Sequence, residues 1–180
     1  MPAAPLRETG GVRVERHFAF VDLCDFTRYT DANGDEKAVA VLTGFRAAAR
    51  ETCSDHGVRV AKWLGDGAMF VSTEGPRLVS CILALKRRIE ELDIALPLRA
   101  GLAGGDVILF EGDDYIGGPV NLAARLCDAA APREVLACAE LAGAVPPGAA
   151  ALPMGSREIS GFAHPVEIVR ISASPVAASQ

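Results

Sequence analysis

Two carboxylates stand where packing does not call for them. Asp22 closes the apolar run His17–Leu23 (HFAFVDL), and Asp66 lies between Gly65 and Gly67 where VRVAKWL turns into AMFVST. The run reads as a buried strand that delivers an acid to its C-terminal edge. Two acids converging on neighbouring strands make a hard-oxygen site for Mg2+ or Mn2+, cations that keep waters and take substrate phosphates as further ligands. Spacing alone leaves a plainer reading open, with Asp66 a turn acid beside glycines and Asp22 a strand-end cap.

Asn121 and Arg125 form a second pair. At i and i+4 they project from one face of a short helix, whose small apolar side is Val120, Ala123, Ala124 and Cys127. An arginine there offers a forked cation for phosphate oxygens, and the asparagine can hold a sugar oxygen. A solvated helix face is the alternative. Lys62 interrupts the strand VRVA-K-WL, and its ammonium snorkels out of the sheet unless a ligand takes it.

The elements that must hold these residues follow from periodicity and turn chemistry. From Asp35 to Ser54, Ala38, Val41, Leu42, Phe45, Ala48, Ala49 and Thr52 recur at helical spacing, with Gly57 as a stop. Residues 58–73 read as a hairpin around Gly65-Asp66-Gly67. Pro76 opens a second helix with Leu78, Ile82, Leu85, Ile89 and Leu92 on one face and Lys86, Arg87 and Arg88 on the other. LRAGLA and VILFE are predicted as two strands around Gly104-Gly105-Asp106, followed by a helix from Pro119 to about Ala129 and a strand over Glu134–Cys138. The uncharged, proline-dotted stretch 141–156 reads as loop or broken helix, and REIS and PVEIVRI as a closing strand pair. The order predicts an α+β fold: a ferredoxin-like βαββαβ core with C-terminal additions, an antiparallel sheet with helices packed on one face. A flexible arm is expected over 1–15, one domain over 16–172 and a disordered tail over 173–180.

Composition narrows the classes. At 180 residues the chain is about one domain and needs no disulfide or metal staple to fold. A net charge of -5 argues against a nucleic-acid surface, and 6% aromatics against an RNA-binding sheet face. Cys24, Cys53, Cys81, Cys127 and Cys138 are dispersed, without a CxxC pair, as in reduced cytoplasmic thiols. Residues 1–14 lack the apolar core of a secretory leader, and the longest uncharged stretch is too short to span a bilayer. A soluble cytoplasmic protein without a membrane segment is expected.

Four segments in order resemble the class III nucleotidyl (adenylate/guanylate) cyclase catalytic domain of the adenylate type: FVDLCDFT (Phe20–Thr27), KWLGDG (Lys62–Gly67), LRAGLAGGDV (Leu98–Val107) and DYIGGPVNLAARL (Asp114–Leu126). The resemblance covers about residues 16–172. It implies conversion of ATP to 3′,5′-cyclic AMP and pyrophosphate with two divalent cations per site (Mg2+ or Mn2+). Asp22, Asp66 and the Leu23 carbonyl resemble the metal ligands, and Lys62 and Asp114 the purine-reading pair. Asn121 and Arg125 resemble the residues that hold the ribose and the α-phosphate. Arg99 resembles an arginine that touches the outer phosphates, and Phe26 and Thr27 fall in the loop whose amides receive the triphosphate. Because the family's site lies between two domains, the resemblance implies a head-to-tail homodimer with ATP as its partner molecule; any regulatory protein is left unnamed.

Lys is donor-only and ionised Asp acceptor-only, which complements the N1 acceptor and 6-amino donor of adenine and mispairs with guanine in the same pose. Two positions depart from the family pattern. Asp25 stands where glycine is frequent, and Ser160 or Phe162 stands where a phosphate-facing lysine is frequent. They leave room for a second reading, a catalytically silent nucleotide-sensing or dimerising module. Asp31–Asp35 fails as a calcium loop because Leu42 stands where an acid is required. Gly104-Gly105-Asp106 lacks the following acid of a diguanylate cyclase signature and reads as a hairpin turn. His17, His56 and His164 are isolated and read as structural or surface residues.

Overall fold

The computed structural model describes residues 11–173. In chain order it contains β1 (Val12–Leu23), α1 (Phe26–Asn33), α2 (Asp35–His56), β2 (Arg59–Leu64), β3 (Gly67–Ser72), α3 (Gly75–Glu91) and β4 (Leu98–Phe110). There follow β5 (Asp114–Ile116), α4 (Gly118–Ala129), β6 (Val135–Cys138), a 3-10 turn (Ala139–Ala144), β7 (Ala149–Arg157) and β8 (Val166–Ala173). One sheet runs β2-β3-β1-β4-β6-β8-β7, with β5 folded onto β4 as a hairpin. Among the described residues, only the β4–β6 pairing is parallel. The order β2-β3-β1-β4 is that of the ferredoxin-like core, and β6, β7 and β8 are the C-terminal additions.

The helices start and stop where their ends can be satisfied. Asp35 and Glu36 occupy the first turn of α2, next to its positive dipole end. Gly57, left-handed at φ 64°, closes the helix with its amide on the Cys53 and Ser54 carbonyls. Pro76 opens α3, whose Leu78, Val79, Cys81, Ile82, Leu85 and Ile89 are buried. These side chains meet Phe45, Ala48 and Ala49 of α2 and Phe18, Phe70 and Leu102 of the sheet in one core.

Helices cover both faces of the sheet, not one. A Cβ on Gly104 of β4 would strike the His17 ring, which also lies against Gly75 at the start of α3. A Cβ on Gly101 would instead strike the backbone of α4, and one on Gly105 would approach Pro119 at 3.2 Å. Residues 101 and 105 point opposite to residue 104 along a strand, so α4 packs on the face away from α3.

Gly104-Gly105-Asp106 is not a turn. Strand β4 runs straight through it, paired with β1 from Val12↔Leu109 to Leu23↔Leu98. The strong local turn signal yields to this long ladder, and Gly104 makes room for the imidazole opposite. The chain reverses later, at Glu111 (φ 49°) and Gly112 (φ 89°), between β4 and β5.

The closing strand pair also lies elsewhere than expected. The partner of β8 is β7, Ala149–Arg157, which but for Arg157 lies in the stretch expected as loop, while Glu158–Pro165 connects the two. Strand β7 pairs on one side only, where Pro153 and a bulge before Gly155 are tolerated. Of the expected arm and tail, residues 1–10 and 174–180 lie outside the described residues. Val12–Glu15 belong to β1, and Ala173 ends β8.

Candidate active site

The β1–β3 register sets Asp22 opposite Gly67, immediately after Asp66 in the hairpin turn. The Leu23 amide donates to the Asp66 carbonyl at 3.2 Å, tying the turn to the end of β1. The β1–β4 register sets Asp22 opposite Arg99, whose Nε and Nη2 donate to Asp22 Oδ2 at 2.9 and 2.7 Å. Oδ1 faces the hairpin, 3.5 Å from where a Cβ on Gly67 would stand. Burial raises the Asp22 carboxyl above its ordinary range, the Arg99 bonds pull it back, and the charges of Asp66 and Asp128 push it up again. Burial lowers the Arg99 guanidinium, but its bonds to Asp22 outweigh that and leave it raised. Asp66 is thus close enough for its charge to act on Asp22, with Arg99 as the counter-charge.

Among the described residues, no three or more His, Cys, Asp or Glu side chains gather as a metal site. The donor set is smaller, two carboxylates with the Leu23 main chain beside them. It fits a hard divalent cation that keeps waters and completes its shell with phosphate oxygens.

Lys62 and Asp114 meet although β3, β1 and β4 lie between their strands in the sheet. The Lys62 ammonium donates to the Asp114 carboxylate, each side chain about half exposed, at 48% and 50%. The β4–β5 hairpin therefore folds back over the sheet face. Arg59 braces it, with Nη2 donating to the Tyr115 hydroxyl at 3.0 Å and the guanidinium 5.8 Å from the centre of that ring. Phe18 meets Tyr115 edge-on at 5.2 Å.

Asn121 and Arg125 lie on the exposed side of α4, away from Ala123, Leu126 and Cys127, which pack inward. Arg125 pairs with Asp128 at 3.6 Å. The Asp128 carbonyl, at the end of α4, accepts from Arg99 Nη1 at 3.2 Å. Leu23 is buried, Phe26 packs on the core and Thr27 is exposed in the first turn of α1. That helix buries no residue, so apolar periodicity carries no signal for it. Asp25 is left-handed at φ 61°, a conformation that glycine adopts without strain, and pairs loosely with Arg28 at 3.8 Å. Ser160 is exposed, and Phe162 packs near Leu126 and Ile159.

The structure thus brings Asp22, Asp66 and Arg99 into one cluster and Lys62 and Asp114 into another. Among the described residues no hydrogen bond or ion pair joins the two clusters, or joins Asn121 or Arg125 to either. Arg59, Tyr115 and Asp128 were not singled out by sequence, because their partners are distant in the chain. A cavity of about 750 Å³ lies between α3 and β8, and none of the candidate residues lines it.

This sheet, with α2 and α3 on one face and α4 on the other, has the fold of class III nucleotidyl cyclase catalytic domains. It superposes on the adenylyl cyclase CyaB from P. aeruginosa with a TM-score of 0.83 at 23% identity, covering 94% of this chain and 100% of that one. The guanylate cyclase domain of RhGC from Catenaria anguillulae, in complex with GTP, matches with a TM-score of 0.78 at 16% identity, covering 89% and 97%. In sequence, an uncharacterized protein of Mycobacterium tuberculosis is 39% identical over 156 residues, 87% of this chain and 41% of the relative. The pH-sensitive adenylate cyclase of the same species is 31% identical over 118 residues, 66% of this chain and 29% of the relative. The chain thus spans well under half the length of these curated relatives. No family model matches it.

Proposed function

We propose that the chain is the catalytic domain of an adenylate cyclase, forming 3′,5′-cyclic AMP and pyrophosphate from ATP by in-line attack of the ribose 3′-oxygen on the α-phosphorus. The observation that carries this reading is the Lys62–Asp114 pair. It sets a donor-only beside an acceptor-only side chain, the complement of the adenine edge. Relatives named adenylate cyclase support the same choice.

The division of labour follows from residue chemistry. Asp22 and Asp66, with the Leu23 carbonyl, would hold two divalent cations. Such cations supply acidification of the 3′-hydroxyl and neutralisation of the leaving pyrophosphate. Lys62 donates to adenine N1 and Asp114 accepts from the 6-amino group. The first-turn amides at Phe26 and Thr27 receive the triphosphate. Arg99 exchanges its Asp22 contact for the outer phosphates. Asn121 orients the ribose, and Arg125 neutralises charge gathering at the α-phosphate.

Exposure of Asn121 and Arg125, apart from the acids, supports a head-to-tail homodimer in which each chain completes the other's site. Purified protein incubated with Mn-ATP should yield cyclic AMP, and Asp22→Ala and Asp66→Ala should each abolish it. Folded, nucleotide-binding protein with no product would identify the silent module instead. Activity in a strictly monomeric species by sedimentation would refute the dimer.

A further inference from the structure

The hairpin turn that carries Asp66 is held from below by α2. Leu64 pairs with Gly67, so Gly65 and Asp66 are the two turn residues, with Gly65 at φ 67°. Such a turn has few internal restraints, yet a metal ligand must be held closely in place. Arg46 of α2 reaches up to it, with Nη2 donating to the Gly65 carbonyl at 3.2 Å. The same guanidinium lies 5.1 Å from the centre of the Trp63 ring, one strand residue below the turn. Arg50, one helical turn along α2, lies at the same distance from that ring but makes no bond to the turn. Phe45 closes the ring edge-on at 6.2 Å.

We infer that Arg46 is a positioning residue for Asp66: it fixes the hairpin turn by one charged hydrogen bond and by stacking on Trp63, and so sets the affinity of the acid pair for a divalent cation. Two consequences follow from the contacts. Loosening Arg46 lets the turn move while the β2–β3 ladder and the core remain. Arg50 shares the stacking but not the bond, so it separates the two contributions. The inference rests on Asp22 and Asp66 being the metal acids.

The test is a Mn2+ titration of the full chain without nucleotide, read by electron paramagnetic resonance. Acrylamide quenching of the metal-free protein runs beside it, and Trp63 is the chain's single tryptophan, so the fluorescence reports on the hairpin alone. Arg46→Met should weaken Mn2+ binding about tenfold, the low end for loss of a group supporting a metal ligand, and make Trp63 more quenchable. Arg46→Lys, which can still donate to the Gly65 carbonyl, should recover part of the affinity, and Arg50→Met should stay within about twofold of the parent. Parental Mn2+ affinity in Arg46→Met, or an equal loss in Arg50→Met, overturns the inference. Asp66→Asn separates the underlying reading. If Asp66→Asn binds Mn2+ as the parent does, the metal assignment itself falls; if it loses binding while Arg46→Met does not, only the positioning role falls.

Discussion

Arg99 closes on Asp22 with two hydrogen bonds that end on the same carboxylate oxygen, at 2.9 and 2.7 Å. The β1–β4 register makes them direct cross-strand neighbours, so the pairing is built into the sheet. Both side chains are largely shielded, at 27% and 28% exposure, where a carboxylate left alone is costly. Arg99→Gln should therefore lower stability at neutral pH by about 2 kcal/mol, measured by urea denaturation. Millimolar Mn2+ should raise the variant's midpoint more than the parent's, because a second cation replaces the missing one only in the folded state. An unchanged urea midpoint would show that the pair contributes nothing.

Nucleotide choice should follow the Lys62–Asp114 pair. Lys62→Glu turns the donor into an acceptor and sets two carboxylates side by side. The ratio of ATP to GTP turnover should fall by at least about tenfold, since a site built to hydrogen-bond one edge rejects another through unpaired groups. Parallel initial-rate measurements with both nucleotides give the ratio. Unaltered selectivity would remove these two residues from base recognition.

The glycines of β4 are separable by what faces them. At Gly101 an added Cβ meets the backbone of α4, with the Leu126 carbonyl carbon at 2.6 Å, and neither strand nor helix can give way locally. At Gly104 the obstacle is the His17 side chain, with Nε2 at 2.9 Å. Gly101→Ala should cost about 3 kcal/mol, at the upper end for overpacking, and Gly104→Ala about 1 kcal/mol. Because α4 carries Asn121 and Arg125, Gly101→Ala should also reduce turnover at temperatures where the protein stays folded. Equal melting temperatures for the two variants would contradict this ranking.

His17 makes stability fall on the acid side. Burial lowers its pKa below 6.5, with Glu15 opposing, and its Nδ1 has no hydrogen-bond partner among the described residues. The unfolded chain then binds the proton more readily than the folded one. Its contribution is complete above the unfolded value of about 6.5 and is lost as pH falls through that value toward the lowered folded one. Melting temperatures between pH 7.5 and 5.5 should decline less steeply in His17→Gln than in the parent. Parallel profiles would assign the acid sensitivity to other groups.

Much of the candidate site is legible in the sequence alone, because its signals are local. An acid at the end of an apolar strand, an acid in a glycine-flanked hairpin turn, and an amide and guanidinium one helical turn apart are patterns of period and turn type. The same locality misled at Gly104-Gly105-Asp106. Two glycines and an aspartate score as a turn, yet the ladder between β1 and β4 holds them extended. It also hid β7, whose proline and bulge an edge strand tolerates.

The sequence by itself thus determined the core helices, the β2–β3 hairpin, the ferredoxin-like order and the choice of candidate site residues, since each depends on neighbours within a few residues. Only the tertiary structure decided which side chains meet. Register places Arg99 on Asp22, the folded-back hairpin brings Asp114 to Lys62, and α2 sets Arg46 on the Gly65 carbonyl next to Asp66. These partners are far apart in the chain, and no periodicity encodes them. They are fixed by strand pairing, by the face of the sheet each helix covers, and by the space that Gly101 and Gly104 leave open.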